Sequence, residues 1–216
     1  MSAVDYPVSL ALEDFVPVLL TTGGVLLLRR IVPRTAALYG AAALIGGGGF
    51  AKATAKLVAA LGGPDLVWLR EALFPLLSMG FGGLCVLVAG AHLGRIPRWL
   101  RYLVPSLLVA CALGALAARD AIPMLVSTTV FATLTGGYLI AMARARGDAV
   151  AAGLFGTQLL GFFVLGPLAA RPDQTVALQW VEQLSNTAAQ AAFAVAAWRL
   201  SAAAPAADTE HEELIR

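Results

Sequence analysis

Seven stretches of about 20 mostly apolar residues follow one another along this chain, parted by short breaks of which all but one carry arginine. A run of that length is what an α-helix needs to cross the hydrocarbon core of a bilayer. In lipid each backbone N–H and C=O must be satisfied without water, so such runs have to be helices. Only 13% of the 216 residues are charged and 59% are hydrophobic. An ordinary soluble domain carries about 25% charged residues. With a mean hydropathy of +0.81, the sequence predicts an all-α integral membrane bundle in the cell membrane, with the lipid bilayer as its first partner.

The predicted spans are Val8–Leu28, Thr35–Leu61, Leu66–His92, Tyr102–Ala118, Ile122–Ala143, Ala149–Ala169 and Thr175–Leu200. No basic region precedes the first, and Asp5, Glu13 and Asp14 interrupt it. It is therefore expected as a retained helix, not a cleaved signal. Residues 1–200 read as one seven-helix domain, and 201–216 as a disordered acidic cytoplasmic tail. One set of helix ends carries Arg29, Arg30, Arg34, Arg95, Arg98, Arg101, Arg144, Arg146 and Arg199; the opposite set carries Arg119 and Arg171. Basic loops stay in the cytoplasm, which predicts an outside N-terminus and an inside C-terminus. Trp68 and Trp180 then fall at the outer interface, and Trp99, Tyr102 and Trp198 at the inner one.

Several functions are disfavoured. No basic run with interleaved aromatics suits nucleic acid. His92 and His211 are isolated, and Cys85 and Cys111 fall inside spans as small packing residues. No metal or cofactor is expected.

The chain reads as two copies of a three-helix unit. Thr22-Gly23-Gly24 recurs as Thr135-Gly136-Gly137, and the same offset carries Gly40 onto Gly153, Gly48 onto Gly161 and Phe50 onto Phe163. With one residue dropped, Trp68 falls on Trp180. Residues 8–92 form the first copy, 102–118 a linker helix and 122–200 the second copy. An odd linker makes the repeat parallel. This three-plus-one-plus-three layout resembles the SWEET and PQ-loop transporters, and in topology the microbial rhodopsins. No Pro-Gln dipeptide is present, so the PQ-loop motif is missing. In "WLREALFPLL" Arg70 and Glu71 are adjacent, which is not the rhodopsin spacing, and the seventh span has no lysine for a retinal Schiff base.

Charges inside a membrane are costly and tend to mark function. Here they gather in the outer half: Glu13 and Asp14 in the first span, Lys52 and Lys56 in the second, Arg70 and Glu71 in the third, Glu182 in the seventh. Gln158 lies mid-span in the sixth, and Asn186 and Gln190 follow Glu182 at four-residue spacing on one face. Lys52 and Lys56, the chain's only lysines, share a face too. Lys52 is deep enough to need an interior partner, with Glu182 or Glu71 expected first and Glu13 or Asp14 next. Of adjacent Glu13 and Asp14 only one is expected to face a cavity, and likewise of Arg70 and Glu71. The run "LIGGGGFAKA" is expected as a flexible or broken helix, because four glycines weaken helicity.

Lys52, Lys56, Glu13, Asp14, Arg70, Glu71, Glu182, Asn186 and Gln158 are thus the candidate binding or coupling residues, either lining a polar cavity or clamping helices as ion pairs. The expected function is a transporter or permease for a small molecule, in a chain small enough to need oligomerisation with its own copies. A seven-helix receptor for an outside ligand is the second reading. A membrane enzyme acting on lipid or isoprenoid is the third; the chain lacks a His/Asp metal cluster, a Ser–His arrangement and a DDxxD-like run.

Overall fold

The computed structural model describes residues 7–169 and 175–203, with side chains to Leu165 in the first stretch. Asp5, Arg171, His211 and the predicted tail beyond 203 lie outside the described residues. Seven helical rods fill almost all of the rest: α1 (Val8–Arg30), α2 (Thr35–Ala60), α3 (Val67–Leu93), α4 (Arg98–Ala118), α5 (Ile122–Ala145), α6 (Ala149–Ala169) and α7 (Val176–Ala202). The largest departure from the predicted spans is at α4, which starts at Arg98 rather than Tyr102. Pro97 supplies its N-cap, and Arg98 and Arg101 occupy an exposed first turn that an apolar pattern leaves out.

Four of these helices, α1, α3, α4 and α5, are long and apolar enough to cross a membrane. That is the mark of a membrane protein. Helices α2 and α7 are as long but more polar.

Two rods are broken near their arginine-poor ends. Helix α1 consists of Val8–Glu13, Phe15–Leu27 and a final 3-10 turn at Leu28–Arg30; α3 consists of Val67–Glu71 and Leu73–Leu93. Both breaks have one cause. Pro17 and Pro75 stand four residues after Glu13 and Glu71, in "EDFVP" and "EALFP". Proline has no N–H for those carbonyls, and its ring crowds them.

The glycine run behaves otherwise. Helix α2 is continuous from Thr35 to Ala60, through Gly46–Gly49. The expected break is absent because three of the four glycines serve as contact points. A Cβ at Gly46 would lie 2.8 Å from the Thr22 hydroxyl, at Gly49 2.6 Å from Val18, and at Gly48 3.0 Å from the Leu73 carbonyl. The missing side chains let α1 and α3 close on both sides of α2, and that packing offsets the weak helix propensity.

Six helices form a ring. Neighbours run α1–α2–α3–α5–α6–α7 and back to α1, while α4 packs outside on α3 and α5. The arginine-rich half of the ring is filled. Val25 and Leu28 of α1, Leu38 of α2, Leu84 and Val88 of α3, Leu139 of α5, Phe155 of α6 and Leu200 of α7 are all fully buried there. A latch closes this end. The Asp148 carboxylate accepts the Ala151 N–H at 2.9 Å, capping the first turn of α6, and pairs with Arg199 of α7 at 3.1 Å. Arg146 donates to the Leu200 carbonyl at 2.8 Å.

Candidate functional site

The arginine-poor half of the ring is hollow. A cavity of about 670 Å³ lies there, walled by all six ring helices and by none of α4. Small-molecule pockets span about 300–1,000 Å³. The break in α1 turns Asp14, Pro17, Val18 and Thr21 into it. Helix α2 adds Lys52 and Lys56 one turn apart, and α7 adds Glu182, Gln183, Asn186 and Gln190. Gln158 and Phe162 of α6, Thr129 of α5, and Leu77 and Phe81 of α3 complete the wall.

Lys56, not the deeper Lys52, takes the carboxylate. Its ammonium is 2.7 Å from Asp14, joining α2 to the break in α1. Depth alone does not choose between them. At 1.5 Å per residue Lys56 lies about 6 Å from the arginine-poor end of α2 and Lys52 about 12 Å, while Asp14 lies about 9 Å along α1. Among the described residues Lys52 pairs with no carboxylate, neither Glu182 nor Glu71 nor Glu13. Its charged neighbours are Lys56 and Asp14.

Further in, Thr21 and Gln190 connect α1 to α7. The Thr21 hydroxyl is 2.7 Å from the Pro17 carbonyl and 2.9 Å from the Gln190 amide. Gln190 in turn reaches Asn186 at 3.4 Å. The Gln183 side-chain nitrogen is buried, lies in the cavity wall, and has no hydrogen-bond partner.

Of the candidate residues read from the sequence, Lys52, Lys56, Asp14, Gln158, Glu182 and Asn186 come together in this wall. Glu13 does not. It points into the α1–α7 seam, where one carboxylate oxygen accepts the Thr187 hydroxyl and the other is buried without a partner. So of the two adjacent acids Asp14 lines the cavity and Glu13 does not. Arg70 and Glu71 both stay outside it: Arg70 pairs with exposed Asp65 at 3.1 Å, and Glu71 is exposed. They precede the break in α3, in the short first segment that contributes no buried residue. Gln183 and Thr21 were missing from the sequence candidates. A signal existed for Gln183: Gln179, Gln183, Asn186 and Gln190 recur at helical spacing and form one polar stripe down α7.

Comparison with protein-family models, with curated proteins and with solved structures finds no match. The fold and cavity define a helical membrane protein with a largely apolar hollow that carries a few charged and polar side chains, and the function is argued from that hollow.

Proposed function

We propose that this chain is a seven-span permease for a small solute, with its N-terminus outside, its C-terminus in the cytoplasm and a parallel three-plus-one-plus-three repeat. The observation that carries the reading is the cavity wall. Three helices of each copy supply it, and the fixed linker helix supplies nothing. In transporters built from repeats the solute sits between the copies, which rock against each other to open alternate faces.

The packing supports the duplication. Exchanging α1, α2 and α3 with α5, α6 and α7 leaves the order of neighbours in the ring unchanged. The close contact of Gly48 with Leu76 recurs, within one residue of the repeat's register, as Gly161 with Ala189. The α1–α2 contact of Thr22 with Gly46 recurs, within one residue, as Gly136 of α5 against Leu159 of α6.

The solid core beneath the cavity fits a state shut towards the arginine-rich, cytoplasmic side. Orientation rests on nine arginines at that end against two at the other.

The test is reconstitution into liposomes. Solutes that raise the melting temperature of the purified protein should exchange across the membrane, and Lys56→Met should slow the exchange. Stabilising solutes that never cross would instead make the cavity a receptor site.

A further inference from the structure

We propose that the solute is a small organic monoanion, a carboxylate, held by Lys52. The inference rests on the permease reading and adds the substrate class.

The cavity wall formed by α1 and α2 holds two ammonium groups, Lys52 and Lys56, against one carboxylate, Asp14. Lys56 holds that carboxylate at 2.7 Å. The α1–α2 wall therefore carries one surplus positive charge, at Lys52, about 12 Å from the arginine-poor end of α2. An unpaired charge at such depth is costly, by about 2.5–3.5 kcal/mol on insertion scales. An anion entering the cavity removes that cost, so the site favours one. A second donor stands at matching depth. Gln183 is about 10 Å into α7, and its buried amide nitrogen offers N–H groups with nothing to receive them. An ammonium and an amide N–H are both donors, and their complement is an acceptor bearing negative charge.

The same lining says which anion. Phosphate and dianions are recognised by several charges or by the bidentate guanidinium fork. Among the described residues no arginine lines this cavity, and Glu182 places a carboxylate in its α7 wall. One lysine, Lys52, stands without a carboxylate at contact distance, and a single such ammonium matches a single negative group. Deeper in, Ile45, Leu77 and Phe81, with Phe162 near the level of Lys52, provide an apolar surface for the rest of the molecule. The fitting solute is a monocarboxylate with an apolar or aromatic body.

The experiment measures thermal shift of the purified protein with lactate, butyrate and benzoate, with the amides of the same acids, with butylamine and benzylamine, and with inorganic phosphate. At least one carboxylate is expected to raise the melting temperature, at a half-saturating concentration at least about tenfold below that of its amide and with no matching shift from phosphate. Lys52→Met should abolish that preference, and Lys52→Arg should keep part of it. Amides or amines that stabilise as well as the acids overturn the anion assignment and leave the solute cavity standing. An acid preference unchanged in Lys52→Met overturns the role of Lys52. Silence from every probe counts against the carboxylate and the permease together. The acid-against-amide comparison uses the native chain, so it decides the matter even if Lys52→Met does not fold.

Discussion

Asp14 and Lys56 lie 2.7 Å apart, at the point where Pro17 breaks α1 and one turn beyond Lys52 on α2. The pair fixes which lysine is neutralised and which is left to the cavity. Removing one partner of a fully buried pair costs about 3–5 kcal/mol, whereas exposed pairs contribute about 0–1 kcal/mol. These side chains are 28% and 12% exposed. Asp14→Asn is therefore expected to cost about 1–3 kcal/mol. The double change Asp14→Asn with Lys56→Met should recover much of it, measured by thermal unfolding in detergent.

The helices were legible because length and apolarity dominate in lipid, and no other pattern competes with them. The breaks were also written in the sequence, at Pro17 and Pro75, but an apolar count passes over proline. The glycine run misled because propensity is local. Whether Gly46–Gly49 loosen a helix or let neighbours close depends on Thr22, Val18 and Leu73, which are distant in sequence. In the site, depth along each helix grouped Lys52, Lys56, Asp14, Glu182 and Asn186, which line one cavity. Depth says nothing of azimuth, so Arg70, Glu71 and Glu13 were gathered with them.

Glycines at contacts and glycines facing outward should respond in opposite directions. A Cβ at Gly80 would lie 2.6 Å from Ile45 and 3.1 Å from the Ala41 carbonyl, whereas at Gly153 it meets nothing within 4 Å. Gly80→Ala is expected to destabilise by about 1–3 kcal/mol through overpacking. Gly153→Ala should gain about 0.4–1 kcal/mol by restricting the unfolded chain. Equal effects from the two would mean that α2 and α3 do not pack as described.

The latch at the arginine-rich end predicts a pH dependence. The Ala151 N–H first, and the Arg199 guanidinium after it, hold the Asp148 carboxyl below the ordinary carboxylate range. The folded state thus binds the proton less readily than the unfolded chain, where aspartate titrates near about 3.9. The stabilisation is complete above that value and lost as pH falls through the lower folded one. Asp148→Asn should melt earlier than the native protein at pH 7. The gap should shrink on acidification below pH 4, and a gap that stayed constant would remove the carboxylate from the latch.

Topology is checked by single cysteines in a chain with Cys85 and Cys111 changed to alanine. Pro64 and Ala145 are both exposed, at opposite ends of the ring. Pro64→Cys should react in intact cells with a reagent that cannot cross membranes, and Ala145→Cys only after lysis. The reverse pattern would invert the protein and place the cavity on the cytoplasmic side.

In the proposed permease, rocking of one half of the ring against the other would require two seams to move, α3–α5 and α1–α7. In the first, the Ser78 and Ser127 hydroxyls are hydrogen-bonded and buried. Ser127 is within 2.9 Å of the Met124 carbonyl, so the arrangement is satisfied when Ser127 donates there and Ser78 donates to Ser127. Side chains this close suit a disulfide, whose Cβ atoms stand about 3.5–4.5 Å apart. Ser78→Cys with Ser127→Cys, in the chain lacking Cys85 and Cys111, should therefore cross-link on oxidation. Solute exchange in liposomes should then stop and return on reduction, while solute binding by thermal shift persists in both states. Undiminished exchange in the cross-linked protein would show that this seam stays closed during transport. Loss of binding along with exchange would mean the bond distorts the cavity, which the oxidised Ser78→Cys single variant separates as a control.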